Sequence, residues 1–134
     1  LKIIGDGPEM NNLKYLIKNL QLENVVELTG NVSHAKALVY IASADVFVLN
    51  SAYEGFSHVL IEAHNQGVPV IASRVGGNVE ISAGDSLFEY NNKKEIIDKI
   101  CYFINQEKYK KIPHHFGTDL IPDTKKFLEQ VCAS

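Results

Sequence analysis

The sequence predicts a three-layer α/β/α fold built on a parallel sheet of about five strands. Short apolar runs alternate along the chain with segments whose apolar residues recur at helical spacing. The run at residues 46–49 is apolar without alternation, which is typical of a strand that is covered on both faces. Successive strand–helix–strand units then form right-handed crossovers, so we expect a Rossmann-like arrangement.

The first half of the chain supplies three of the predicted strands. Glycine-containing turns follow the first two, at Gly5 and at Gly30, and Ser33 is a plausible N-cap for the helix that leads to the third. The predicted elements are a strand at residues 1–4, a helix around 13–20, a strand at 25–28, a helix at 33–42 and a strand at 46–49.

The second half supplies the remaining strands and the longest helix. Gly67 is a natural C-terminal cap, and Pro69 is acceptable only at the start of a strand. The predicted elements are a helix at 58–66, a strand at 68–72, a short helix at 78–81, a strand at 86–90, an amphipathic helix at 93–106 and a last helix at 122–131. We expect residues 1–134 to form one domain, with 107–134 as its C-terminal helical tail.

Composition and charge exclude some classes of protein. Because the net charge of the 134 residues is −3, a nucleic-acid-binding surface is not expected. Eight lysines lie in residues 93–134, where they give a local net charge of +2. Solvated helix faces explain them most simply, and contact with a second domain or an anionic membrane surface is the alternative. The two cysteines, Cys101 and Cys132, are expected to be core thiols.

The segment from residue 50 to residue 64 carries most of the predicted chemistry. It lies between two strand predictions, at the kind of strand-to-helix connection where α/β proteins bind anionic ligands. Ser57 is a good N-cap, so the backbone N–H groups of His58, Val59 and Leu60 are expected to be free of helical partners. Together with the helix dipole, such groups bind phosphate without any basic side chain.

Two glutamates, Glu54 and Glu62, stand eight positions apart in this segment. Glu62 lies about 7 Å along the helix axis from its start, where its carboxylate can accept hydrogen bonds from a vicinal diol such as a ribose. Glu54 precedes the helix and can accept hydroxyl protons from a second sugar or stabilise positive charge at an anomeric carbon. Two glutamates at this spacing also occur by chance, but the adjacent Gly55 and the flanking strands favour a binding site.

At these residues the sequence resembles a known family. The segment Tyr53–Ala63, the run Gly67–Ser73 and the pattern Gly76-Gly77-x-x-Glu80 resemble the C-terminal domain of retaining GT-B glycosyltransferases, specifically the glycosyl transferases group 1 (family 4). The turn Gly5–Pro8 matches the strand-end turn of the same family, and residues 28–31 and 44–49 match in the right order. The resemblance is continuous from residue 1 to about residue 105.

The resemblance implies a role for each matched residue. Glu62 would hold the ribose of a nucleotide sugar, and Glu54, the catalytic candidate, would contact the hydroxyl groups of the donor sugar near its anomeric centre. Asn31 and Val32 would lie against the base, and Gly5 is also a donor-binding candidate. Backbone groups would meet the sugar and the diphosphate along the segment Gly55, Phe56, Ser57, His58, Val59 and Leu60. The family usually has proline where Asn50 stands and a small residue such as glycine at Ser57, and neither difference is expected to disturb the site.

The resemblance also implies parts that this sequence does not contain. The family carries an Arg and a Lys upstream of the first strand here, where they neutralise the diphosphate, and an N-terminal domain that binds a saccharide or lipid-linked acceptor. We therefore expect the chain to be a donor domain without its first βα unit, which binds donor weakly and does not turn it over alone. The implied function is sugar transfer with retention in polysaccharide biosynthesis, without a metal or other cofactor, in the cytoplasm or at the inner face of the membrane.

Three other kinds of site fit this sequence less well. A nicotinamide site is disfavoured because the glycine turn at residues 5–8 lacks a third glycine and Glu27 falls inside a strand. A metal site is not expected, because His58 and His64 fall on different helix faces. Ser57 and His58 do not form a nucleophile pair, since adjacent residues at a helix start point apart.

Two features and the class of function stay open. Arg74 either neutralises phosphate or pairs with a surface acid, and the Gly76-Gly77 turn is more simply structural than a ligand contact. As alternatives to a transferase, the chain is a non-catalytic nucleotide-sugar-binding module or part of a GT-B epimerase or phosphorylase.

Overall fold

The computed structural model describes residues 1–106, which fall into two compact units with their boundary between Ala37 and Leu38. The predicted tail at 107–134, with the helix at 122–131 and Cys132, lies outside the described residues. Both units combine helices with parallel strands, which confirms the predicted α/β class. Within residues 1–106, no helix is both long enough and apolar enough to cross a membrane.

The first unit contains one strand–helix–strand connection. Strand β1 (Lys2–Ile4) leads to helix α1 (Met10–Asn19), then to strand β2 (Glu27–Gly30) and to the start of helix α2 (His34–Ser43). The two strands pair in parallel. Helix α1 has no buried residue, and Val25 is the only buried hydrophobic side chain among the described residues of this unit.

The second unit contains the larger core. It begins within α2 and continues through strand β3 (Phe47–Leu49), helix α3 (His58–Asn65), strand β4 (Val70–Ser73), helix α4 (Asn78–Ile81), a 3-10 turn at Gly84–Ser86, strand β5 (Leu87–Phe88) and helix α5 (Lys93–Asn105). Strands β3, β4 and β5 form one parallel sheet with β4 at its centre.

Alternate residues of the central strand β4 pack into two separate apolar clusters. Val70 and Ala72 pack with Leu60 and Ala63 of α3 and with Ile41 of α2. On the other face of the strand, Ile71 packs with Phe88 and with Phe103 of α5. The second unit is therefore three-layered, with helices on both faces of a sheet, which explains why its strands are apolar without alternation.

The predicted strands are all present, but they do not form one sheet. Strands β1 and β2 make a two-stranded sheet, β3 to β5 make a three-stranded one, and within the described residues no ladder joins β2 to β3. The sequence pattern reports how a strand is covered and not which strand is its neighbour, so it did not reveal this division.

Local signals mostly placed the helix ends correctly. The Ser33 Oγ atom accepts a hydrogen bond from the Lys36 N–H (3.4 Å), and the Asn92 side chain accepts one from the Glu95 N–H (3.3 Å), so both act as N-caps. Strand β4 starts only after Pro69, which has no N–H to donate.

The prediction of a core thiol at Cys101 is wrong, because Cys101 is disulfide-bonded.

Candidate functional site

The candidate site lies in the second unit, where residues 50–57 connect the end of β3 to the start of α3. The predicted strand, loop, helix and strand are confirmed in this order. Ser57 occupies the N-cap position with extended backbone angles, as expected, but its side chain makes no capping hydrogen bond. Its Oγ atom is buried and has no hydrogen-bond partner among the described residues.

The first turn of α3 presents a row of backbone donors. The N–H groups of His58, Val59 and Leu60 precede the first intrahelical hydrogen bond, so the helix itself offers them no acceptor. Leu60 and Ala63 are fully buried against the sheet, which fixes the direction of the helix. This end of α3 therefore carries the positive end of the helix dipole in a fixed orientation.

The two glutamates flank this row of donors along the chain. Glu54 lies in the connecting loop, three residues before the N-cap, and Glu62 is the fifth residue of α3. Both side chains are half-buried. The local arrangement thus has an acid before the helix start and another about 7 Å beyond it, as the sequence predicted.

The start of the connecting loop is held by a buried serine at the end of β4. The Ser73 hydroxyl is fully buried; it donates to the Ser51 carbonyl (2.7 Å) and accepts from the Ser51 N–H (3.1 Å). The Ser73 carbonyl in turn accepts a hydrogen bond from the side chain of Asn78 (3.0 Å), which is also fully buried. Neighbouring strand β4 therefore fixes both backbone groups of one loop residue.

The middle of the loop is held by the Gly76-Gly77 turn. The Gly77 N–H is shared between the carbonyl oxygens of Glu54 (3.2 Å) and Gly55 (3.0 Å). A Cβ atom on Gly76 would lie 1.6 Å from the Glu54 oxygen, and one on Gly77 would lie 2.1 Å from the Gly55 oxygen. Gly76 also has a φ of +45°, a conformation that favours glycine. The turn thus has the structural role that the sequence favoured.

Asn50 makes a contact that the resemblance did not anticipate. Its side chain donates to the Asn91 side-chain oxygen (2.7 Å) and accepts from the Asn91 backbone N–H (3.1 Å). Asn91 follows β5 and has a φ of +59°, which asparagine tolerates better than most residues. A proline at position 50 would be unable to make this pair, so Asn50 ties together two loops that flank the central strand.

The other polar and aromatic side chains in and beside the loop contact a neighbouring side chain or the solvent. The Arg74 Nε atom lies 3.2 Å from a Glu89 carboxylate oxygen, and both side chains are about half exposed, so Arg74 pairs with a surface acid. The rings of Phe56 and His58 meet edge to face with centroids 5.6 Å apart. Tyr53 beside Glu54 is 84% exposed.

The remaining predicted donor residues lie in the first unit. Gly5 has a φ of +128°, and its N–H donates to the Gly30 carbonyl (3.0 Å), so the turn after β1 lies beside the loop that begins at Asn31. Asn31 is exposed and Val32 is half-buried. Within residues 1–106, no three His, Cys, Asp or Glu side chains gather closely enough to hold a metal ion.

Sequence reasoning missed Ser73 and Asn78 as supports of the loop. Each carried a weak signal. Ser73 is a polar residue at the end of a fully buried strand, and Asn78 follows two glycines at a helix start, yet both side chains are completely buried. Only the fold shows that their partners lie in the loop that carries Glu54 and in β4.

Comparison with known proteins supports the family resemblance independently of this geometry. The family described as "Glycosyl transferases group 1" matches residues 1–118. The N-acetyl-alpha-D-glucosaminyl L-malate synthase of Bacillus anthracis is 36% identical over 111 residues, which cover 81% of this chain and 29% of that protein. The 2-deoxystreptamine N-acetyl-D-glucosaminyltransferase of Niallia circulans is 38% identical over 79 residues, which cover 59% of this chain and 20% of that protein.

Solved structures show the same fold. A crystal structure of Anabaena HepE in complex with UDP-glucose matches 81% of this chain and 32% of that one, with a TM-score of 0.69 and 28% identity. The lipopolysaccharide outer core galactosyltransferase WaaB, in its apo form, matches 96% of this chain and 36% of that one, with a TM-score of 0.66 and 27% identity. This chain spans less than a third of the length of the two curated relatives. With a family match over most of its length, the chain belongs to the glycosyl transferases group 1 family.

Proposed function

We propose that this chain binds a nucleoside-diphosphate sugar and forms the donor-binding part of a retaining glycosyltransferase. The observation that carries the proposal is the start of α3, where backbone N–H groups without a helical acceptor follow Glu54 in the chain and precede Glu62. Such a helix start suits a diphosphate, and the acids suit the hydroxyl groups of the two sugars joined to it. Family membership and the complex of a structural neighbour with UDP-glucose support the same ligand class.

Glu62 receives the ribose in this proposal. Because Glu62 is the fifth residue of α3, its carboxylate is too far from the first N–H groups to compete with the phosphates for them. A carboxylate accepts two hydrogen bonds, one for each hydroxyl of a vicinal diol. The helix holds it in place through the buried side chains of Leu60 and Ala63.

Glu54 receives the donor sugar. Its carboxylate is half-buried in a loop whose backbone is fixed at Ser51 and at Glu54 itself. A fixed negative charge near the anomeric carbon stabilises the positive charge that develops there as the bond to the diphosphate breaks. Because this stabilisation grows toward the transition state, Glu54 contributes to the rate of transfer more than to donor affinity.

The wider assignments belong to the same proposal. Sugar is transferred with retention and without a metal. A saccharide or lipid-linked acceptor binds in an N-terminal domain. The reaction takes place in the cytoplasm or at the inner face of the membrane. The base lies against Asn31 and Val32, with Gly5 as a further donor contact. These assignments extend from the family resemblance.

Donor binding is tested by titrating the chain with UDP-, GDP- and ADP-glucose in ligand-observed NMR, which detects millimolar affinities. We expect one of the three to bind, and Glu62→Ala to weaken that binding about tenfold or more, as for a lost hydrogen bond to a charged group. Glu23→Ala, at an exposed position in the first unit, is the matched control and leaves the affinity unchanged. Undiminished binding by Glu62→Ala would overturn the ribose assignment.

Binding alone does not separate a transferase from a binding module. The natural protein that carries this sequence is therefore assayed for transfer with the donor that binds best. Sugar transfer that depends on Glu54 supports the enzyme. Tight donor binding without transfer to any acceptor would favour the module.

A further inference from the structure

The Gly76-Gly77 turn holds the loop at Glu54 through two backbone carbonyl groups. In a planar trans peptide, the C=O and the following N–H point in opposite directions. The Gly77 N–H holds the carbonyl oxygens of both Glu54 and Gly55. The N–H groups that share those two peptides, those of Gly55 and Phe56, therefore point away from the turn and side by side.

These two N–H groups are available donors. Neither has a hydrogen-bond partner among the described residues, and both residues are exposed. They lie in the loop that carries the Glu54 carboxylate, which offers only acceptors when it is ionised. A sugar hydroxyl is at once donor and acceptor, so it can donate to a carboxylate while it accepts from a backbone N–H.

We propose that Gly76 and Gly77 are positioning residues for the donor sugar, which fix the two N–H groups of Gly55 and Phe56 as receptors for a sugar hydroxyl beside Glu54. This inference rests on the proposed function. The turn does not touch the sugar. It acts through the loop, and it accepts no side chain because a Cβ atom on either glycine would collide with a loop carbonyl oxygen.

The positioning role predicts a specific change in ligand preference. Gly76→Ala places a methyl group 1.6 Å from the Glu54 oxygen and disfavours the φ of +45°, so the turn and the loop must separate. Binding of the diphosphate depends on the start of α3, which Leu60 and Ala63 hold independently of the turn. The variant should therefore lose recognition of the sugar and keep recognition of the nucleotide.

The test is a titration of the chain and its variants with the best-binding nucleoside diphosphate and with its glucose conjugate. We expect Gly76→Ala to lower the affinity ratio, conjugate over diphosphate, about tenfold, as for the loss of one hydrogen bond, with the diphosphate affinity nearly unchanged. Gly84→Ala is the matched control, because a Cβ there has no atom within 4 Å, and its ratio equals that of the original chain. An unchanged ratio in a folded Gly76→Ala variant, or an equal loss for both ligands, would overturn the inference.

A second measurement needs no variant and applies even if Gly76→Ala does not fold. In the original chain labelled with ¹⁵N, the amide signals of Gly55 and Phe56 should shift with the glucose conjugate but not with the diphosphate. Identical shifts with both ligands would contradict the inference while leaving the proposed function intact. If neither ligand of any base bound, the proposed function would fail and this inference with it.

Discussion

The molecule contains two strand-to-helix connections of the same general kind, and they are held in different ways. Residues 5–9 join β1 to α1, and residues 50–57 join β3 to α3. The helix after the first has no buried residue, whereas the helix after the second buries Leu60 and Ala63 completely. The first loop is tied by the Gly5–Gly30 backbone bond, and the second by Ser73, Gly77 and Asn91.

The difference shows what a binding loop needs beyond a glycine turn and a helix start. The first connection carries Asp6 and Glu9, both exposed, and Glu9 accepts a hydrogen bond from the side chain of Asn12 (2.7 Å). Two acids at a loosely packed helix start do not favour an anion. The second connection holds its acid on a loop whose carbonyl groups bond to Ser73 and Gly77. The N–H groups of Gly55 and Phe56 are left without a partner among residues 1–106.

The largest expected difference is in how much the packing of each helix, α3 or α1, contributes to stability. Leu60→Ala should lower the free energy of unfolding by about 2–5 kcal/mol, because it leaves a cavity in a closed core. Leu16→Ala in α1, where the side chain is 50% exposed, should cost less than about 1 kcal/mol. Urea denaturation of both variants measures the contrast, and equal losses would mean that the two helices are held alike.

Glu54 provides the next contrast. In the natural protein, Glu54→Gln should reduce the rate of transfer about 10²-fold or more, because the fixed charge at the anomeric centre is lost. The matched change at the first connection, Asp6→Asn, should alter the rate less than about twofold, since surface charges contribute little. Steady-state assays at saturating donor compare them. A Glu54→Gln enzyme of full activity would remove Glu54 from the catalytic role.

The hydrogen bonds of Ser73, which hold the second connection, are expected to contribute more to stability than those of Thr29 at the end of β2. Ser73→Ala leaves the N–H and C=O of Ser51 without the buried hydroxyl and should cost about 1–3 kcal/mol of stability. Thr29→Val at the end of β2 removes longer hydrogen bonds of 3.1 and 3.3 Å from a half-buried hydroxyl and should cost less than about 1 kcal/mol. Thermal unfolding ranks the two, and the reverse order would refute the anchoring role of Ser73.

The smallest effect is expected at the N-cap of α3. Ser57→Ala removes a buried hydroxyl that bonds to nothing among the described residues, so stability should stay the same or rise slightly. Asn92→Ala at the start of α5 removes a real cap and should cost about 1 kcal/mol. A loss at Ser57 as large as that at Asn92 would show that the serine caps its helix after all.

The sequence predicted the individual strands and the limits of α3 better than it predicted the pairing of the strands. Alternation of apolar runs identified all five strands, and Ser57 and Gly67 marked the limits of α3 to within a residue or two. Both features depend on interactions between residues close in sequence. The division into two sheets depends on which strands become neighbours, and no local pattern encodes that choice.

The residues that hold the loop could not be predicted from the sequence for the same reason. Gly77 meets Glu54 across 23 positions of sequence, and Asn50 meets Asn91 across 41. A Gly-Gly turn indicates that backbone conformation or close approach matters, but it does not say what approaches. The positions of Glu54 and Glu62, one before α3 and one within it, were predictable from the sequence, whereas the means of holding Glu54 required the fold.

An amide map of the bound chain tests most directly whether the second connection binds the donor. The ¹⁵N-labelled chain is titrated with UDP-, GDP- and ADP-glucose, and the signals that move are assigned. For the conjugate that binds, we expect the largest shifts at the amides of residues 55–60, reduced in the Glu62→Ala variant. Binding that leaves those amides unchanged would show that the donor binds elsewhere.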